Sequence, residues 1–393
     1  MNRNQLRKAA PAAAALTLMI GLTACGAANE GSTDSGNGDS VSGTLNGAGA
    51  SSQESAVAAW KKGFQTANPD ATVNYDPSGS GAGREQFVSG GVQFAGSDAY
   101  MDDEEIAAAK KKCGSDIVEV PTYVSPIAVI FNLDGVKDLN LSPKTIAGIF
   151  QGSITSWDDA AIKADNPDAK LPSTKITVVH RSDDSGTTKN FTDYLDKAGQ
   201  GAWKGGVVET WPVKGGEAAE GTSGVVSAVK NGKGTIGYAD ESQAGELGKA
   251  KVKVGDEFVE VTPEAASKTL DEAKPVEGRG DTDIAVDVNR TSTEAGVYPI
   301  VLVSYQITCQ TFKDAKTADL VKAWFTYVTS TEGQKAAADA AGSAPADLRL
   351  RVEGQDRGRL DQGQLNPSDP GPVARATGPG SGPALPLVLK GPP

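Results

Sequence analysis

One histidine, His180, is all that 393 residues offer, and a chain so poor in imidazole has little from which to build a serine hydrolase. Such an enzyme needs a base within reach of its nucleophile. His180 directly precedes Arg181 at the end of an apolar run, and neighbours on a strand point to opposite faces, so one site could hardly use both. The G-x-S-x-G elbow that would expose Ser185 as a nucleophile is missing as well. Positive charge is scarce: 38 Lys and Arg stand against 50 Asp and Glu, a formal charge of -12. An acidic surface repels nucleic acid and anionic lipid, so no nucleic-acid partner is expected. The acids of "DTDIAVD" lack the EF-hand ligand at the fifth place and its glycine at the sixth, and the glycines after Pro77 lack the G-x-G-x-x-G spacing of a dinucleotide site. These acids, with those of "MDDEE" and "WDDA", read as solvated faces and caps. No metal, no cofactor and no internal repeat is expected.

Long apolar runs are also few. The first, "AAPAAAALTLMIGLTAC", follows Arg3, Arg7 and Lys8 and is too short to span a bilayer comfortably, which is the pattern of an export signal. "LTAC", Leu22 to Cys25, resembles the bacterial lipobox, in which the cysteine becomes the lipidated first residue. Residues 1–24 are therefore expected to be removed, Cys25 to carry lipid such as palmitate, and the chain to be attached to the membrane by lipid only. Loss of that segment, with three basic residues and no acid, moves the formal charge from -12 to -15. Residues 25–40 are almost without apolar side chains and read as a flexible tether. With Cys25 lipidated, Cys113 and Cys309 remain as an even pair in an oxidising compartment, which favours one disulfide over two buried thiols. Residues 346–393 hold no aromatic residue but eight of the chain's 21 prolines, and such a segment cannot bury enough apolar surface to stay ordered.

What remains is long enough for two domains with their own cores. In "SSQESAVAAWKKGFQTAN", Val57, Trp60 and Phe64 share one helical face, with Ser51 and Ser52 where caps belong. "MDDEEIAAAKKKCG" carries acids at its start, lysines at its end and Gly114 as a stop, the charge order of a helix. "IVEVPTYVSPIAVIFNL" and "YPIVLVSYQI" read as strands buried on both faces. The first leads away from an opening section and the second returns to it, which predicts two α/β lobes joined by more than one crossing strand. The boundaries are placed at 41–124 with 287–345 for lobe I and 125–286 for lobe II, with a ligand cleft between them.

Three stretches share one chemistry, a turn rich in Ser, Thr or Gly that presents hydrogen-bond donors. "GAGASSQ" is a glycine turn feeding a helix, open to either ordinary capping or an anion. "YDPSGSGAGREQF" offers Ser80 and backbone donors, the parts of an anion nest. "VVHRSDDSGTTKNF" ends a strand at Arg181 and begins a helix near Ser185, setting a planar guanidinium beside a helix N-terminus. Taken alone, that stretch is equally a capped helix with Arg181 paired to Asp183 at the surface.

"GAGASSQ", "YDPSGSGAG", "FAGSDAYM", "HRSDDSGTT" and "GTIGYAD", in that order, resemble the PstS family of periplasmic or lipid-anchored phosphate-binding proteins that serve bacterial ABC uptake systems. The similarity runs from about Gly43 to Pro345. It implies the α/β, two-lobed, type II-like periplasmic-binding-protein fold, inorganic phosphate as ligand, an ABC-type phosphate permease as partner, a monomer, and no catalysis. Carried over residue by residue, the resemblance places Ser51, Ser52, Ser80, Asp98, Arg181, Ser185, Gly186 and Thr187 at the anion, with Asp183 behind the arginine. The family often has Thr and Phe where this chain has Ser51 and Ser52. Asp98 makes sense beside an anion that carries a proton: phosphate can donate to it and sulfate cannot.

Overall fold

The structure, a computed structural model, describes residues 40–342 and 344–345. The export signal, Cys25, the tether up to Asp39 and the tail from 346 lie outside the described residues. Among the described residues no helix is long and apolar enough to cross a membrane.

The apolar runs are strands, as their patterns predict. Ile117–Asn132 is buried at every position but the last, and Val301–Cys309 at every position. They pair antiparallel at the middle of a ten-stranded mixed sheet. On one side of them lie Phe94–Ser97, Gly43–Gly49 and Ala71–Asp76, the last three parallel to one another. On the other lie Thr235–Asp240, Thr177–Arg181 and Glu217–Ala219, again mutually parallel. Ile117–Asn132 belongs to both halves: residues 117–126 pair with Val301–Cys309 and residues 127–132 with Thr235–Asp240. Among the described residues it is the one strand that pairs into both halves. The expected second crossing strand is instead an irregular segment, 288–300, because Val301–Cys309 stays with the first half. Its apolar run signals burial on both faces, which a central strand has whether or not it crosses.

Helices cover the sheet as their sequences prescribe. Val57, Trp60 and Phe64 of Glu54–Ala67 are buried, and Trp60 and Phe64 pack edge-on against Trp324. Asp103–Cys113 opens with a capping box between Asp102 and Glu105 and closes at Gly114, whose φ of +67° suits glycine. Cys113, at the end of that helix, is disulfide-bonded to Cys309 at the end of the return strand, with Cα atoms 5.4 Å apart.

Two local expectations are corrected. Ser51 and Ser52 do not cap the helix: they form a 3-10 turn, Ser51–Gln53, before it, and no side-chain cap bond is made. Asp283 of "DTDIAVD" is not on a solvated face. It is buried, paired to Arg279 at 3.1 Å and bridged to Glu119, whose carboxyl burial and Asp283 push well above the usual range.

Candidate functional site

All the turns singled out in the sequence lie past the C-terminal ends of parallel strands. Gly43–Gly49 leads to Ser51 and Ser52, Ala71–Asp76 to Ser80, Phe94–Ser97 to Asp98, and Thr177–Arg181 to Asp183 and Ser185. That edge is where open α/β sheets hold ligands, because backbone donors and helix N-termini collect there. Gly79 has φ +101°, a conformation open to glycine, and lets the chain turn from its strand into the helix Ser80–Ser89. The "YDPSGSGAG" stretch is thus a helix N-terminus rather than a free-standing nest.

Asp98 is at the centre of these turns. Its side chain is buried, and three hydroxyls donate to it: Ser52 at 2.6 Å and Thr187 at 3.1 Å to Oδ2, and Ser304 at 2.8 Å to Oδ1. Its backbone N–H donates to Ser80 Oγ at 3.1 Å. Burial pushes the Asp98 carboxyl up, while the hydroxyls and, least of all, Arg181 act in the opposite direction. Gly186 opens the helix Gly186–Ala198 against this turn so closely that a Cβ there would stand 2.6 Å from Ser80 Oγ and 2.9 Å from Asp98 Cβ.

Arg181 is buried rather than displayed at the surface. Its guanidinium forks onto Asp183, with Nε on Oδ1 at 2.7 Å and Nη2 on Oδ2, and the Gly221 N–H donates to the same carboxylate at 3.1 Å. Partial burial alone would raise Asp183, but the contacts with Arg181 outweigh it and hold the carboxyl below its usual range. Ser185 caps its helix by accepting the Thr188 N–H at 3.1 Å, leaving its own proton as the donor it can offer outward. His180 stacks on Trp211 with ring centroids 5.2 Å apart, and its Nδ1 lies 2.9 Å from the Arg181 carbonyl.

The two halves of the sheet meet directly around this cluster. Besides Thr187 to Asp98, Asn190 Nδ2 donates to the Asp98 carbonyl at 2.6 Å, and the Thr222 N–H donates to Ser51 Oγ at 3.0 Å. Arg84, buried in the helix Ser80–Ser89, reaches Glu209 at 2.8 Å. The result is a buried, donor-rich cluster built around the Asp98 carboxyl and the Arg181–Asp183 pair. It can hold a compact tetrahedral oxyanion by dipoles and hydroxyls.

Comparison with known proteins agrees with this chemistry. A model of the PBP superfamily domain matches residues 34–332. The chain is 38% identical over 287 residues to phosphate-binding protein PstS 3 of Mycobacterium leprae, covering 72% of this chain and 77% of that one. It is 37% identical over 317 residues to phosphate-binding protein PstS 2 of Mycobacterium tuberculosis, covering 77% and 85%. The chain belongs to the PstS family of phosphate-binding proteins. Its two-lobed α/β fold matches a high-affinity periplasmic phosphate-binding protein solved with phosphate, with a TM-score of 0.66 at 25% identity over 80% of this chain and 93% of that one. The phosphate-binding protein of Stenotrophomonas maltophilia shares the fold at a TM-score of 0.62 and 21% identity, over 80% and 94%.

The structure brings Ser51, Ser52, Ser80, Asp98, Arg181, Asp183, Ser185, Gly186 and Thr187 together where the two halves of the sheet meet. Sequence reasoning missed Thr222, Asn190 and Ser304, which touch the same groups. Ser304 alone carried a signal, a hydroxyl inside the otherwise apolar "PIVLVSYQI".

Proposed function

We propose that this chain binds inorganic phosphate outside the cytoplasm and delivers it to an ABC-type import permease, without catalysing a reaction on it. Lobe I, residues 41–124 with 287–345, and lobe II, residues 125–286, close on the ion as a monomer, and Cys25 holds the protein to the membrane by its lipid. The anion is held by Ser51, Ser52, Ser80, Arg181, Ser185, Gly186 and Thr187, and its proton is accepted by Asp98. The observation that carries the reading is Asp98 itself: a buried acid set among helix N-termini and hydroxyls, with no cation in salt-bridge contact among the described residues. An unprotonated anion would meet that carboxylate acceptor to acceptor, whereas phosphate brings a proton to share. Catalysis lacks support, because His180 is engaged with Trp211 and the Arg181 carbonyl rather than with any of the serines.

Calorimetric titration tests this directly. Phosphate and arsenate, protonated alike near neutral pH, should bind saturably and sulfate should not. Asp98→Asn keeps an acceptor oxygen but adds an N–H₂ that can turn toward sulfate. Phosphate affinity should fall modestly, by about 1 kcal/mol, while sulfate binding becomes measurable. A parent protein that takes sulfate as well as phosphate, or that turns over a phosphate ester, overturns the reading.

A further inference from the structure

Ser304 lies where the strand pairing forces a meeting with Asp98. Val301–Cys309 runs antiparallel to Phe94–Ser97 with Tyr305 opposite Ser97, so the residue before Tyr305 faces the residue after Ser97. On the other side the register slips: Ser304 pairs with Tyr123 but Tyr305 pairs with Pro121, leaving Thr122 as the extra residue of a bulge. The Thr122 hydroxyl donates to the Ser304 carbonyl at 2.9 Å. Bulges of this kind re-aim a side chain next to a site.

The direction of the Ser304 hydroxyl is determined by its neighbours. Gln53 Nε2 donates to Ser304 Oγ and to the Tyr305 carbonyl, both at 2.8 Å. A backbone carbonyl only accepts, so the nitrogen end of the Gln53 amide must face this pair. Ser304 Oγ therefore accepts from Gln53 and spends its single proton on Asp98 Oδ1 at 2.8 Å. It stands apart from the other two donors. Ser52 and Thr187 are both proposed to hold the anion, Thr187 from the helix Gly186–Ala198 that follows Thr177–Arg181.

We propose that Ser304, locked as a donor by Gln53, sets the anion selectivity of the site by keeping Asp98 ionised. This rests on the reading of Asp98 as the acceptor of the phosphate proton. The surroundings of Asp98 otherwise favour its neutral form. Burial raises it, Arg181 opposes this less than any of the three hydroxyls does, and Asp240, Tyr75 and Tyr123 are close enough for their own titration to feel Asp98. A carboxyl that kept its proton could donate to sulfate, and the acceptor-to-acceptor clash that excludes sulfate would be gone.

The test is calorimetry with inorganic phosphate and sulfate from pH 6 to 8.5, in buffers of differing ionisation enthalpy, on the parent, Ser304→Ala, Ser304→Thr and Asp98→Asn. Ser304→Ala should bind sulfate with uptake of one proton and with affinity rising about tenfold per pH unit as pH falls. Ser304→Thr, which keeps the hydroxyl, should exclude sulfate as the parent does. Should Ser304→Ala lose its fold by circular dichroism, Gln53→Leu carries the same expectation with a smaller gain, since the hydroxyl is then free to turn. Sulfate exclusion unchanged in the folded variant while Asp98→Asn admits sulfate overturns the role of Ser304 and leaves the phosphate reading intact. A gain of sulfate binding that is independent of pH also overturns it, because that is loosening and not protonation. Failure of the parent to bind phosphate removes the reading beneath it.

Discussion

Asp183 and Asp98 occupy comparable places on the two halves of the sheet, each just past the end of a parallel strand, yet they are treated in opposite ways. Asp183 meets a guanidinium fork and a backbone N–H and is held below the usual carboxylate range. Asp98 meets only hydroxyls and is pushed up by burial. The Arg181 side therefore presents a charge that is already balanced, and the Asp98 side presents an acceptor that is short of protons. On the proposed reading, such a pair of sides distinguishes anions by where their hydrogens are, with Arg181 and the neutral dipoles supplying the attraction.

Removing the guanidinium breaks this comparison most severely. Arg181→Ala strips the site of its cation and leaves Asp183 partly buried and unpaired. Truncating one member of a buried charge pair costs about 3–5 kcal/mol. Phosphate affinity should fall by that amount in calorimetry, with circular dichroism unchanged. A loss of less than tenfold would mean that dipoles alone hold the ion.

A third acid, on the Arg181 half of the sheet, is treated as Asp98 is. Asp240 lies opposite Ile127 on the crossing strand, accepts from Ser242 N at 3.1 Å and Oγ at 2.6 Å, and is pushed up to about 7 by burial. A carboxyl raised from 3.8 to about 7 on folding binds more protons in the native than in the unfolded state. Stability from this group is thus present at low pH and is lost as pH climbs between those two values. Asp240→Asn removes the slope. Its stability relative to the parent should grow across that window and reach on the order of 4 kcal/mol at pH 8, read by denaturant titration at several pH values.

Gly186 is where the two sides touch. The Cβ of Gly186→Ala would stand 2.6 Å from Ser80 Oγ, 2.9 Å from Asp98 Cβ and 3.1 Å from the Ala99 nitrogen. Ser80 Oγ is held by the Asp98 N–H and the nitrogen is backbone, so the halves must separate to make room. Overpacking of this kind costs about 1–3 kcal/mol. The loss should appear in phosphate affinity and not in the melting temperature of the ligand-free protein.

How far the sequence reveals this arrangement depends on how local each feature is. The strand, turn and helix around Arg181 and Ser185 are contiguous in the chain, and helix polarity is written in single segments such as "MDDEEIAAAKKKCG". Ser304 and Thr222 are legible only once strands are paired and helices placed. Their partners, Asp98 and Ser51, stand 206 and 171 residues away in sequence. Burial on both faces gives a crossing strand and a merely central strand the same apolar pattern, which is why Val301–Cys309 was expected to cross. Ser51 and Ser52 look like caps because small hydroxyl residues before a helix serve both purposes. What separates the two is whether another element offers a partner.

Ser51 gives the smallest and most local test of the contrast between the two halves. Its hydroxyl accepts the Thr222 N–H at 3.0 Å and lies 3.0 Å from the Thr222 hydroxyl, so it joins the turn after Gly43–Gly49 to the start of the helix Gly221–Asn231. Neither partner is charged, and neither touches Asp98 or Asp183. Ser51→Ala deletes this contact and leaves the Thr222 N–H, at a helix N-terminus, to find another acceptor. A neutral hydrogen bond of this kind is worth about 1 kcal/mol net, so phosphate should bind about fivefold more weakly. Because the contact reports closure and not protonation, arsenate should weaken by the same factor and sulfate should stay excluded. Thr222→Ala keeps the backbone donor and removes only the second hydroxyl, so its effect should be smaller than that of Ser51→Ala. If Ser51→Ala instead lets sulfate in, selectivity is spread over the whole site and is not concentrated at Asp98, and the contrast between the two sides fails.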